Sequence, residues 1–582
     1  MPAVKSFAWD PRGEYASVPA AVTPGSTGAV TPSASRWITF SGGGWNSHSA
    51  LAGLFAGALD GLGAGGRSAD LSTLMGRVKG IAANSGGSWF LSQLAYSAPF
   101  LAGLEQKTSR DQYNNSGYNG QVAALFKATT PTIPSWLQLL IDQLPQSWQA
   151  GLKQAGYLFG LAGAAQEAQF TWHNFTDKFV YQPYNMLTEL GGKGLDAPRQ
   201  GWAAGKDLLI VASAQTTPVV LDNRGVLQNK IFSSTPLSAA QAPPQGMMTP
   251  LFFLSDVQEG KPAPIASAFF GGGDVTLDLS NNKLLSTLPS LKTAIASPLK
   301  SGLTVVDATT ASSSALAHLA AVQTFSGVGV LGLDNTLAAA ARNVAPLASL
   351  ANGTLSMPKT LPTPSRRGGR VEDAMRLYSD RGMTRLADGG FTDNTAAAFM
   401  LRHIQDTEGT SKPFNLTIFQ NGTIDPVTGV RMQVGPASTD LSSYWLSSDV
   451  ANLFGSMSGP NQDGQLVTFD AIGGFKIPVP SARIFDHSAW LGEKPEWTYS
   501  KGGTEIAYYD LNVKTVDNPT FGIKGGQTGR VQLFASNNSQ SNAAPLSAAI
   551  LGEYAENYLV FRDAIVNQGG LAPLQSALGL LA

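Results

Sequence analysis

Apolar positions recur with two periods along this chain, and the periods alternate in a fixed order. Trp37-Ile38-Thr39-Phe40 is a short aromatic and β-branched run, which predicts a strand. It stops at Ser41-Gly42-Gly43-Gly44. Leu51, Leu54, Phe55 and Ala58 then follow at helical spacing. The same order returns downstream. Val78 to Ile81 predicts a strand, Ser85-Gly86-Gly87 a tight turn, and Trp89, Phe90, Gln93 and Leu94 a helix. Further strands are predicted at Leu208-Leu209-Ile210-Val211, Leu303-Thr304-Val305-Val306 and Leu416-Thr417-Ile418-Phe419. All three are continuous apolar runs, as in strands covered on both faces. Strands alternating with helices argue for an α/β fold, a central, mainly parallel sheet flanked by helices.

Residues 1–36 read as an irregular lead-in, because positions 17 to 35 are rich in Pro, Ala, Ser, Thr and Gly. Residues 37–582 read as one α/β domain. Between 100 and 200 the amphipathic runs Trp136 to Leu144 and Tyr157 to Ala168 predict a helical cap inserted over a site, with ordinary packing helices as the alternative. Residues 425–582 hold no interpretable motif and are taken as the C-terminal part of the same domain. Within them, 500 to 535 reads as β, with alternation through Ile506, Tyr508 and Leu511 and turns at Asp517-Asn518-Pro519 and Gly525-Gly526. Leu277 to Asn282 looks like part of a leucine-rich repeat, but no second copy follows at the required period.

Composition narrows the functional classes. The 582 residues are 43% hydrophobic and long enough for a large core. Only 14% are charged and the net charge is −1, so no basic surface is available for nucleic acid. The absence of cysteine excludes disulfides, thiol catalysis and thiolate metal sites. No apolar run has transmembrane length, and no apolar segment follows Lys5 as in a signal peptide; the compartment is not legible, with a soluble, cytoplasmic location slightly favoured. The sequon Asn174-Phe175-Thr176 is expected by chance in a chain this rich in Ser and Thr. The oligomeric state is not legible.

Three short motifs carry candidate chemistry. Ser85 lies where a strand turns sharply into a helix, the geometry of a nucleophile elbow, in the frame Ala83-Asn84-Ser85-Gly86-Gly87. Ser88 is the alternative, but its frame would put bulky Phe90 where a small residue belongs. Ser41-Gly42-Gly43-Gly44 can turn backbone N–H groups toward an anion or oxyanion, although a plain tight turn has the same composition. It lacks the Gly-Lys-Ser/Thr ending of a P-loop. Asp388-Gly389-Gly390, with Asn394 beyond it, precedes a predicted helix from Ala396 to Leu401. An aspartate there can be a helix cap, or a base. None of the five histidines (His48, His173, His318, His403 and His487) lies in a recognisable triad motif. An aspartate within reach of the serine, and partly desolvated, can take the proton instead.

Taken together, the glycine loop, the extended run Ile81-Ala82-Ala83-Asn84-Ser85-Gly86-Gly87-Ser88-Trp89-Phe90-Leu91-Ser92 and the distant Asp-Gly-Gly resemble the catalytic domain of cytosolic phospholipase A2 and the fungal lysophospholipases, relatives of patatin. The Asp388 to Asn394 form is closer to patatin. The resemblance implies a patatin-like sheet, a Ser–Asp dyad of Ser85 and Asp388, and oxyanion donors among Gly42, Gly43 and Gly44, chiefly the last two, with Gly86 as a further donor. It implies a lipid ester or phospholipid substrate, peripheral membrane contact through residues 130 to 170, and no metal or cofactor. Asn46 stands where the phospholipases carry an arginine for the headgroup, and Ala83 replaces a glycine. Asn46 is therefore a candidate substrate contact, and Arg77 or Lys79 could supply the missing charge. The competing readings are a catalytically inactive lipid-binding or structural member of the same fold, and a nucleotide-binding protein, which would lack its lysine and metal-holding acid.

Overall fold

Successive side chains of a strand point to opposite faces, and here both faces are dry. Ile38, Phe40, Ile81, Ala83, Leu208 and Ile210 enter a core on one face of a sheet. Trp37, Ala82, Leu209 and Val211 enter a second core on the other. That is why these segments read as unbroken apolar runs.

The computed structural model describes residues 35–63, 69–106, 117–128, 171–215, 220–221, 227–228, 248–257, 261, 263–270, 299–314, 347–351, 354–357, 383–423, 448–454, 468–471, 475–478, 482–489, 493–502, 504–518, 521–538 and 549–581. The lead-in before residue 35, the helix candidates Trp136 to Leu144 and Tyr157 to Ala168, and Leu277 to Asn282 lie outside them.

The strands of the main sheet are β1 (Arg36–Phe40), β2 (Val78–Asn84), β3 (Asp207–Gln215), β4 (Met248–Asp256), β5 (Ile265–Phe270) and β6 (Leu299–Ser301). They continue as β7 (Leu347–Ala351), β8 (Thr354–Ser356), β9 (Met383–Asp388), β10 (Phe414–Thr423), β11 (Trp497–Lys501), β12 (Thr504–Lys514) and β13 (Thr528–Asn538). Their order in space is β9-β7-β8-β6-β5-β4-β3-β2-β1-β10-β13-β12-β11. The centre, β3-β2-β1-β10-β13, is parallel throughout. Both flanks are largely antiparallel, so the sheet is mixed around a parallel core. The β segment expected at 500 to 535 forms part of this same sheet.

Helices cover both faces. They include α1 (Gly44–Leu62), α2 (Ser85–Tyr96), α3 (Tyr118–Ala128), α4 (Val305–Ser312), α5 (Ala397–Glu408), α6 (Ser448–Phe454) and α7 (Ala549–Val566). Apolar residues of α1, α2, α4 and α7 fill the first core, and those of α5 and α6 the second. The predicted strand at Leu303 to Val306 is a correction: those residues lead into α4. Thr304 accepts the Asp307 N–H through its side chain at 3.0 Å, and Asp307 accepts the Thr304 N–H at 3.1 Å. This reciprocal capping box starts a helix where β-branched composition alone argues for a strand.

The most extensive helix–helix contact among the described residues joins α1 to α7, near opposite ends of the described chain. Gly53 and Gly57 of α1 lie directly against α7. A Cβ at Gly53 would run into the Tyr558 carbonyl, and one at Gly57 would stand 2.9 Å from Ile565 Cβ. Helix propensity alone favours Gly→Ala by about 1 kcal/mol. Here the backbone of α7 cannot give way, so overpacking wins. G53A is expected to destabilise the protein by about 1–3 kcal/mol in urea unfolding; a gain in stability would mean that α7 is not seated on α1.

Candidate active site

β2 passes into α2 with no intervening loop, because Ser85, the first residue of α2, takes a left-handed backbone with φ +47°. For a side-chain-bearing residue this costs roughly 1–2 kcal/mol. The turn also needs small neighbours. A Cβ on Gly86 would overlap the Gly44 backbone, and one on Gly87 would lie 2.6 Å from the Ser41 carbonyl oxygen. The elbow therefore sits hard against the glycine loop. Ala83 adds only a methyl group, fully buried in the first core. Ser88, the alternative nucleophile, is fully buried and donates its hydroxyl to the Ser85 carbonyl at 2.6 Å.

Strand pairing brings Asp388 to the same place. β4 occupies one edge of β3 from Leu208 to Gln215. On the other edge, β2 pairs with Asp207 to Val211, and β9 pairs antiparallel with Ala212 to Gln215. The two strands meet head-on, Asn84 opposite Val211 and Asp388 opposite Ala212. The Ser85 and Asn84 side chains lie close to the Asp388 carboxylate and favour its ionised form, and Gly390 N–H donates to it at 2.8 Å. Burial nevertheless dominates and pushes the Asp388 carboxyl up to about 6.

Asn394 ties the surroundings together. Its side-chain oxygen accepts from Asn84 Nδ2 at 2.9 Å, its Nδ2 donates to Asp449 at 2.8 Å, and its carbonyl accepts the Gly42 N–H at 3.0 Å. Asp449, whose carboxyl is also pushed up by burial, adds negative charge that raises Asp388 further. Nothing in the sequence around Asp449 marks it. Asp393 plays a structural part, accepting the Thr395 and Ala398 N–H groups at 2.9 and 2.7 Å and so starting α5.

The glycine loop is pinned from beneath. Ser41 N–H donates to the Phe419 carbonyl at 3.0 Å, and Ser47 donates its hydroxyl to the Ser41 carbonyl at 2.7 Å. Gly43 (φ +130°) and Gly44 (φ +57°) adopt backbones that favour glycine. Their amides and that of Gly86 have no acceptor among the described residues. Gly42 is a correction: its amide is committed to Asn394, so it is not available to an oxyanion.

The two candidate substrate contacts are also corrected. Asn46 is buried, and its side-chain and backbone oxygens both accept from Asn557 of α7, at 2.9 and 3.0 Å. It links two helices. Arg77 precedes β2 at the end opposite Ser85, roughly 25 Å away at strand rise. Lys79 pairs with Glu408 at 2.9 Å. Histidine is engaged elsewhere too. His48 bonds Gln93 at 2.5 Å and is held neutral by burial, its pKa lowered to about 4. His403 bonds Asp207 at 2.9 Å, and His173 lies beside Asp177 and Asp307. His318 lies outside the described residues.

Trp45, next after the loop, and Trp89, one turn after Ser85, have ring centroids 4.9 Å apart, and Phe175 packs on Trp45. All three rings are buried in the first core. Among the described residues, no group of three or more His, Asp or Glu side chains could hold a metal, and no helix is long and apolar enough to cross a membrane.

The contribution of Asp388 to stability should depend on pH in a defined sense. Its folded pKa lies above its ordinary value of 3.8, so its contribution is complete below about pH 4 and is lost as pH rises through about 6. D388N removes the titration. It is expected to be more stable than the native protein by on the order of 2–3 kcal/mol at pH 8, with the advantage gone below about pH 4. Paired urea titrations at the two pH values check this; identical pH dependence in both proteins would sink it.

Comparison with known proteins found no matching family model, no matching curated protein and no matching solved structure.

Proposed function

We propose that the protein is a serine acyl hydrolase of lipid esters that works through Ser85 and Asp388. One observation carries the reading: a buried carboxylate lies beside a serine held at the left-handed start of a helix, directly against a glycine loop in which the Gly43 and Gly44 amides are uncommitted among the described residues. The finer comparison with the patatin and cytosolic phospholipase A2 group is part of this proposal. It draws support from the strand–elbow–helix turn at Ser85 and from Asp388 at a strand end.

Each group has a defined step. Asp388 takes the Ser85 hydroxyl proton as Oγ attacks the ester carbonyl carbon. The carbonyl oxygen becomes an oxyanion facing the amides of Gly43, Gly44 and Gly86. One such donor is worth roughly 3–4 kcal/mol in comparable hydrolases. The carbon–oxygen bond to the leaving alcohol then breaks, and Asp388 returns the proton to that alcohol. Water, deprotonated by Asp388, attacks the acyl-enzyme. The fatty acid leaves, and Ser85 regains its proton.

A carboxylate is a weak base at its ordinary pKa, and burial brings Asp388 to about 6, near working pH. Neither Asn46 nor Arg77 offers charge to a phosphate headgroup, so the proposal extends over phospholipids, lysophospholipids and neutral lipid esters. Peripheral membrane contact at residues 130 to 170 lies outside the described residues.

Fluorophosphonate labelling and fatty-acid release from a panel of these three ester classes test the proposal. The native protein is expected to label and turn over, and S85A and D388N to lose both. The acid limb of kcat/KM should fall near pH 6, because the base must be ionised. G86A should cut kcat by a factor on the order of 100–1,000, since its methyl group displaces the glycine loop. Native protein that neither labels nor turns over, or S85A that still does, would falsify the dyad and leave an inactive lipid-binding protein as the better reading.

A further inference from the structure

The amide of Ser85 needs a partner from outside its own helix. It is the first N–H of α2, so it has no acceptor within the helix, and Asn84 contributes no side-chain cap. The N–H instead donates to the hydroxyl of Ser312 at 2.9 Å, from a residue 227 positions away. Ser312 is fully buried and is the last residue of α4. The same stretch of chain also holds the base. The Ser312 carbonyl accepts the Gly389 N–H at 3.2 Å, and the Ser314 carbonyl accepts the Asp388 N–H at 3.3 Å. Ser313 accepts the Trp172 indole N–H at 3.3 Å, and its own hydroxyl donates to the Thr309 carbonyl at 2.8 Å. The segment is thereby anchored on both sides.

We infer that Ser312 is a positioning residue, which fixes the strained elbow to the backbone of Asp388 and so sets the separation of nucleophile and base. This deepens the dyad proposed above and rests on it. β2 ends at Asn84 and β9 ends at Asp388, so sheet hydrogen bonds do not extend across the gap between the two strands. The Ser312 to Ser314 segment touches the chain on both sides of that gap. A left-handed residue relaxes unless its surroundings hold it. The hydroxyl of Ser312 is the group that holds the Ser85 amide, and small errors in such a placement are costly in rate. The role asks for an oxygen at this position, which threonine also supplies.

The test compares S312A, S312T and S92A with the native protein, alongside S85A. Ser92 is the control. It is equally buried and hydrogen-bonded, to the Trp89 carbonyl and the Tyr181 hydroxyl, but lies two turns along α2 from the elbow. S312A is expected to lower kcat and the fluorophosphonate labelling rate about 10- to 100-fold with KM within about twofold. S312T should recover most of the loss. S92A should lose thermal stability comparably yet keep kcat within about twofold. Hydrogen exchange at the Ser85 amide, resolved from overlapping peptides that begin upstream of Ala82, should speed up in S312A alone. If S312A turns over like the native protein, loses no more activity than S92A, or shows unchanged exchange at Ser85, the positioning role is overturned while the dyad stands. If the native protein is inert and S85A matches it, the dyad fails and takes this inference with it.

Discussion

Two strands share one edge of β3, and the candidate chemistry depends on that fact. A parallel strand and an antiparallel strand can both pair with the same edge only if they come from opposite directions and each stops short. β2 stops at Asn84 because the chain turns into α2. β9 stops at Asp388 because the chain turns into the short helix that follows. The stopping points are neighbours on β3, Val211 and Ala212. A serine and an aspartate about three hundred positions apart in sequence are thus brought together by backbone pairing. Extending either strand by a residue would push the other away.

The electrostatics follow from where this junction lies. The sheet is covered on both faces, so a carboxylate at the junction loses water on all sides, and desolvation raises its pKa. The Gly390 amide and the side chains of Ser85 and Asn84 oppose that rise, and Asp449 reinforces it. The balance leaves Asp388 ionised at neutral pH, yet basic enough to accept a proton from a hydroxyl. A histidine would need room beside the serine. His48, on the adjoining helix, is held two turns away by Gln93 and the stacked ring of Tyr118, 4.4 Å off. The proposed dyad would use the burial of one carboxylate where a triad uses an imidazole and its partner.

Much of this is legible in the sequence, for reasons that can be stated residue by residue. The strands around Trp37, Val78, Leu208 and Leu416 and the helices after Gly44 and Ser85 announce themselves by period, since local burial writes directly into local composition. The antiparallel flanks do not, because pairing direction has no local signature in a dry strand. The run at Leu303 misleads for a related reason. β-branched residues argue for a strand, but Thr304 and Asp307, three positions apart, cap a helix, and capping outweighs propensity there. The site follows the same division. Ser85, Asp388 and the glycine loop have motifs. Asn394 lies within one, but its bond to Asp449 does not show, and Ser312 carries no signal at all, because a hydroxyl acting on a backbone amide 227 positions away leaves no pattern.

Asn46 is instructive in the opposite direction. It stands at the position where a resemblance to phospholipases suggests a headgroup contact, and its place in the fold gives it another role. Through Asn557 it joins α1 to α7, and Gly53 and Gly57 continue the same close contact further along α1. The glycine loop is the start of α1. Whatever fixes α1 along its length also fixes the amides of Gly43 and Gly44 at its tip, because a helix is stiff over this distance. α7 therefore bears on the site without touching it, by holding the helix that presents the proposed oxyanion donors. An arginine at position 46 would have to break the contact with Asn557 to reach a phosphate, so this chain gains a rigid glycine loop at the position where a headgroup contact would otherwise stand.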